Sequence, residues 1–231
     1  MKYYIKKLIK SNNYILYITS FIYNIPFYVS NIFNIRKLDL KIKGAFIKNV
    51  KLNILNKNNV IVVEKYSRLN NCDINMLGNK SILHIKKNCI IKDSSFWFED
   101  KKTKIIIGNE TTFESVHIAA LEDSRKVCIG DDCMFSRGIE IRTGDSHSVI
   151  DSIEKKKINH GKDILIEDHV WLGANSTILK GVNVGKNSIV GIQSVVTSDV
   201  LKNTLVCGIP AKVKKKNINW TRESNFKEKS W

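Results

Sequence analysis

The sequence predicts an all-β solenoid: a parallel β-helix of triangular coils with a short N-terminal helical segment and a C-terminal helix. Two spacings predict it. Every sixth position from Ile166 is aliphatic, through Leu172, Ile178, Val184, Val190 and Val196. Four positions after each of these stands a small or β-branched residue: Val170, Ser176, Val182, Ser188, Ser194 and Val200. A period of six suits neither an α-helix, which repeats at three and four, nor a flat strand. It suits stacked coils of three hexapeptides, each covering the next because no coil can bury its own face alone. The second spacing is longer. Val63, Ile85, Ile107 and Ile129 stand 22 residues apart, with Leu69, Ile91, Phe113 and Phe135 six positions further on. The surplus over three hexapeptides has to leave at one corner, and the polar tips Gly78-Asn79, Asp100-Lys101 and Glu122-Asp123 recur in that phase as stacked turns.

Residues 1–38 precede the repeat. Met1 to Lys10 is basic, and Tyr14 to Val29 is an apolar, aromatic run broken by Asn24 and Pro26. That run is shorter than the ~20 residues of a bilayer span, and no small-residue cleavage site follows it. It reads as one or two short helices capping the open end of the solenoid. The alternative is a peripheral, basic-aromatic membrane contact through residues 1–30. Residues 39–210 make up the β-helix, whose longer period dissolves before residue 60. Residues 211–231 read as a basic tail in which a short polar helix covers the last coil, with Trp220 packed against it.

The chain of 231 residues carries a formal charge of +16. Its lysines are scattered among asparagines rather than interleaved with aromatics, so nucleic acid is not the expected partner. A basic surface does steer anions, such as a phosphate-bearing cofactor or an acidic glycan. Five cysteines without a CxxC pair point to a reducing, cytoplasmic setting. Cys89 and Cys133 fall in the small corner slot that Ser67 and Thr111 also fill, which makes them packing residues.

Chemistry enters after Ile129. The next aligned aliphatic, Ile166, is 37 residues on, so a long loop, 144–163, is extruded from the coil. Such loops on rigid scaffolds carry function. This one begins Asp145-Ser146-His147-Ser148. A histidine there can act as a base, since free imidazole titrates near neutrality; an exposed loop histidine without a role is the plainer alternative.

Four segments, in this order, resemble the hexapeptide-repeat acyltransferases: Thr143 to Ser148, Asp168 to Gly173, Ile189 to Thr197 and Gly208 to Val213. Within that family the chain is similar to the galactoside and xenobiotic acetyltransferase branch, and more so to the O-acetyltransferases that decorate bacterial surface polysaccharides, polysialic acid among them. The resemblance covers about residues 107 to 220. It implies a left-handed parallel β-helix, acetyl-CoA as donor, a sugar hydroxyl of a capsule, lipopolysaccharide or sialic-acid-type glycan as acceptor, and a homotrimer with active sites between subunits. A small sugar or nucleotide-sugar acceptor is the alternative.

Residue by residue, the resemblance implies that His147 is the general base and Trp171 the aromatic wall of the acceptor and thioester pocket. It gives Asp145 the task of orienting the imidazole or binding the acceptor, where an Asx turn is the alternative. Gly173, Ala174, Gly191 and Ile192 match positions facing the pantetheine arm. Thr197, Lys212 and Lys215 match positions near the nucleotide phosphates, and His117 and Arg142 the acceptor side. Ile209 departs from the Asn usual before this Pro. Of the remaining histidines, His84 and His169 read as structural and His160 matches no motif. No metal is expected: a zinc site of the γ-carbonic-anhydrase type needs three histidines on neighbouring faces, and the spacing here does not supply them.

Overall fold

The computed structural model describes residues 12–225. Its body is a parallel β-solenoid with the predicted registers. On the first face, Val63, Ile85, Ile107, Ile129, Ile166 and Val184 stand beside one another in successive strands. On the second, Ile47, Leu69, Ile91, Phe113, Phe135, Leu172, Val190 and Val206 form one column. Ile74, Phe96, Ile118, Ile141, Ile178 and Val196 form the third. These columns meet along the axis as one buried core. The first face is a seven-stranded sheet, while the other two merge into one larger sheet because long strands such as Arg68–Met76 and Met134–Arg142 bend from one face to the next.

The corners account for the asparagines. Asn49 and Asn71 at one corner, Asn88 and Asn187 at another, and Asn58 at the third all have positive φ. Asn is among the few residues that enter the left-handed region cheaply. Small inward residues line the corner between the first two faces: the Ser67 hydroxyl accepts from Cys89 N–H at 3.1 Å and that of Thr111 from Cys133 N–H at 3.0 Å. Burial pushes the Cys89 thiol up to about 11 and that of Cys133 to about 12, so both stay protonated packing residues.

Three expectations change. The longer period continues below residue 60, since Phe46 pairs with Arg68, and the first solenoid strand is Leu38–Ile42. No helix ends the described chain: Lys212–Lys216 is a strand, antiparallel to Thr204–Cys207. The open backbone edge of that last strand draws the lysine run into pairing, where a solvated helix would leave it bare. Trp220 does not rest on the last coil but reaches back to His169, as described below. Residues 226–231 lie outside the described chain.

At the other end, α1 (Asn13–Tyr23), α2 (Ile25–Ser30) and α3 (Ile32–Ile35) cap the first coil. They do so with amides. Asn24 Nδ2 donates to Ala45 O at 2.9 Å while its Oδ1 accepts from Ile47 N–H at 2.8 Å. Asn31 makes the same pair with Val50 O and Leu52 N–H, and Asn34 with Leu52 O and Ile54 N–H. A carboxamide is both donor and acceptor, so each one serves two backbone groups of an otherwise unpaired strand edge. Asn31→Ala strips partners from buried groups and should cost about 1–3 kcal/mol, read as a lower urea midpoint at unchanged m-value.

Candidate active site

Between the strands Met134–Arg142 and Ile164–Ile166 the chain runs as a loop. Thr143 roots it, its hydroxyl bonded to both Leu121 O and Leu121 N–H at 2.8 Å. Asn159 then organises it. Its amide donates to His147 O and to Asp145 Oδ2, both at 2.8 Å, and its Oδ1 accepts from Val149 N–H at 2.7 Å. Lys180, on the next coil, donates to Asn159 O at 3.0 Å and is ion-paired with Asp145. Lys180 holds the Asp145 carboxyl below the usual carboxylate range. That carboxylate therefore fixes the loop rather than the imidazole, and Asn159 and Lys180 are site-building residues that sequence reasoning missed. The His147 ring is exposed, beside a main chain fixed at both its N–H and its carbonyl.

Trp171 lies 36% exposed on the outside of the second face, in register with Met134 and Ile189. Met134 begins the strand Met134–Arg142, and the His147 loop leaves from its far end. Within one chain the imidazole loop and the indole are thus mounted at opposite ends of a strand that turns a corner.

The tail joins Trp171. His169 occupies a left-handed corner position, φ 54°. Its Nδ1 faces Asp132 Oδ2 at 2.7 Å and its Nε2 the Trp220 carbonyl oxygen at 2.9 Å. Its ring stacks on Trp220 at 4.1 Å, and the indole N–H donates back to His169 O at 2.8 Å. Both imidazole nitrogens face oxygen partners, which fixes the orientation of the ring. Trp220 in turn lies 6.0 Å from Trp171, ring to ring. The structural reading of His169 holds, with a consequence the sequence did not reveal: it seats a second indole beside the first.

Two of the predicted cofactor residues, Gly173 and Gly191, stand in one line along the solenoid axis. Gly173, Gly191 and Cys207 each come directly after an aligned residue of the second column, and Lys212 pairs with Cys207. A Cβ on Gly173 would stand 2.7 Å from Ile192 N, and one on Gly191 would stand 2.7 Å from Cys207 Cβ. Bare backbone at these two positions is therefore a demand of coil stacking. Ala174 is joined to the neighbouring coil through its carbonyl, which accepts from Gln193 N–H at 2.8 Å; Ile192 is exposed beside it. Lys212 and Lys215 are exposed on the tail strand. Thr197 is exposed on the third face, two residues after Val195, whose backbone bonds Gly208 and Ala211.

His117 and Arg142 lie on the outer surface of the third face. His117 is in register with Ser95 and Glu140, and Arg142 pairs with Glu140 at 3.7 Å while its Nε donates to Gly144 O at 3.3 Å. Both thus border the root of the His147 loop. Nearby, a cavity of about 670 Å³ opens along the stacked turns, lined by Glu99, Asp100, Glu122 and Asp123 with Lys101, Lys157 and Ser146. His84 is bonded to Glu64 at 2.8 Å on the first face, and His160 is exposed in the loop. Among the described residues no three His, Cys, Asp or Glu side chains gather as a metal site.

No protein-family model matches the chain. A polysialic acid O-acetyltransferase of Escherichia coli O1:K1 / APEC is 37% identical over 140 residues, which are 61% of this chain and 45% of that protein. The matched part is thus less than half of that relative's length. A polysialic acid O-acetyltransferase of Neisseria meningitidis is 33% identical over 145 residues, 54% of this chain and 67% of that protein. Among solved structures, the polysialic acid O-acetyltransferase OatWY superimposes with a TM-score of 0.74 at 31% identity, covering 82% of this chain and 90% of that one. A parallel solenoid with an extruded histidine loop and this degree of likeness define the class. The chain belongs to the hexapeptide-repeat acetyltransferase family, close to its polysialic acid O-acetyltransferases.

Proposed function

We propose that the chain transfers an acetyl group from acetyl-CoA to a sugar hydroxyl of a bacterial surface glycan by direct attack. The observation that carries this reading is the fixed loop segment Asp145–His147, which presents an exposed imidazole on a solenoid similar, over four fifths of its length, to a polysialic acid O-acetyltransferase. An alcohol becomes a competent nucleophile only as its proton departs, so the base has to lie within hydrogen-bond reach of that hydroxyl. His147 is that base. Trp171, buttressed by Trp220, walls the thioester end. The pantetheine runs along Gly173, Ala174, Gly191 and Ile192, and Lys212 and Lys215 meet the phosphates as point charges, with Thr197 beside them.

The separate mounting of His147 and Trp171 favours a site shared between subunits, as in a homotrimer. The loop's exposed aliphatics support it: Val149, Ile150, Ile158 and Ile153, the last 89% exposed, are costly to leave in water and fit the side of a neighbouring solenoid. His117 and Arg142 then belong to the acceptor side. A second reading, a small neutral sugar or nucleotide-sugar acceptor, draws on the carboxylate-lined cavity beside Ser146, which is ill suited to an anionic polymer.

The test is thiol release from labelled acetyl-CoA against a panel of sialylated and neutral glycans. Release that depends on a polymeric surface glycan supports the proposal, and release with small neutral sugars alone favours the second reading. For Lys212→Ala we expect weaker CoA binding with a flatter salt dependence in calorimetry, because one exposed cation no longer meets a phosphate. Unchanged affinity removes Lys212 from the cofactor site.

A further inference from the structure

The N-terminal helices are amphipathic in an unusual sense. The side turned to the solenoid carries Ser20, Asn24 and Asn31, all buried, together with Leu16 and Phe27. The outer side carries Tyr14, Phe21, Ile22, Val29 and Phe33, of which Phe33 is 76% exposed. Edge capping explains Asn24 and Asn31, and the Ser20 hydroxyl donates to Tyr17 O at 3.1 Å within its own helix. Nothing within the described chain explains the apolar outer ones, and an exposed patch of this kind marks an interaction surface.

Charge says which kind. Residues 1–38 contain Lys2, Lys6, Lys7, Lys10, Arg36 and Lys37 and no Asp or Glu at all. The adjoining strands add exposed Lys48 and Lys51, and their one exposed carboxylate, Asp39, is ion-paired with Lys41 at 2.6 Å. Exposed aromatic and aliphatic side chains in a segment whose sequence is rich in cations and free of anions match a negatively charged lipid surface, where head groups meet the lysines and the acyl boundary takes the rings. The helices do not cross it. The longest described one, α1, has 11 residues, about 16 Å at the α-helical rise, against a hydrocarbon core of roughly 30 Å. None of the described helices is long and apolar enough to span a membrane.

We infer that α1–α3 form a peripheral docking surface for an anionic membrane, with the solenoid standing off from it by its first coil. The catalytic coils, around Ile129 to Val196, are then held several coils away. This inference is independent of the acetyl acceptor.

Co-sedimentation of the full chain with vesicles tests it. Partition into phosphatidylcholine vesicles containing roughly a third phosphatidylglycerol should exceed that into phosphatidylcholine alone by at least about tenfold, and should fall as salt is raised. The double variant Phe21→Ser/Phe33→Ser should lose about tenfold or more of that partition. Because both rings are exposed, its thermal midpoint and thiol-release activity should be unchanged, so a loss is not misfolding. Equal partition into both vesicle types, or no loss in the double variant, overturns the inference. So does a double variant that instead falls apart into smaller species by light scattering, since a second copy would then be what covers the face.

Discussion

His147→Ala should lower turnover by about 10²-fold or more, the usual loss on removing a general base, with CoA binding and thermal unfolding close to those of the native chain. The structure explains why so large a kinetic effect comes at so little structural cost. The ring is exposed, and the loop is held by other atoms: the His147 carbonyl in the Asn159 bond, the Asp145 carboxylate and Lys180. Truncating the imidazole leaves those contacts in place. The measurement is steady-state thiol release with the acceptor the glycan panel identifies, beside a melting curve. A variant keeping near-native turnover would show that the proton goes elsewhere, and the assignment of the base would fall. A variant that melts early would instead make His147 a structural residue of the loop.

The largest effect on stability is expected from Phe113→Ala. Phe113 is fully buried and stacks on Phe135 of the next coil, ring centroids 4.8 Å apart and planes within 7°. Removing it empties the centre of the second column, and rigid coils on either side limit collapse into the void. The cost should be about 3–5 kcal/mol, seen as a lower urea midpoint. A loss under about 1 kcal/mol would mean that neighbouring coils close the gap, contrary to the close packing described here.

Much of this architecture was legible because a solenoid repeats its instructions. Val63, Ile85, Ile107 and Ile129 needed only their spacing to be placed side by side, and the interval before Ile166 announced the loop. What failed to show was decided by partners remote in sequence. Nothing in Lys212 to Lys216 reads as a strand, because its cause is the open edge of Thr204–Cys207. The pairing of Asp145 with Lys180 joins residues 35 apart, so Asp145-Ser146-His147 alone invites the reading of a carboxylate helping its neighbour. The roles of Asn24, Asn31 and Asn34 depend on backbone groups up to 23 residues later. One further signal lies in the sequence. An asparagine at corner after corner, as at Asn49 and Asn71, is what left-handed turns select for.

The tail is more than a buttress for an indole. After Asn203 exchanges bonds with Ile218, Trp220 grips His169, and Arg222 bonds Asp132, Thr112 and the carbonyl of Cys133, up to 110 residues earlier. A stack of repeats held only by nearest neighbours can fray from its end one rung at a time. A strap laid across several rungs changes that: the terminal rungs must open together or stay shut, and the surface bearing Trp171 shares the rigidity of the whole group. Hydrogen exchange along these strands should accordingly show one common opening rather than a gradient toward the C-terminal end.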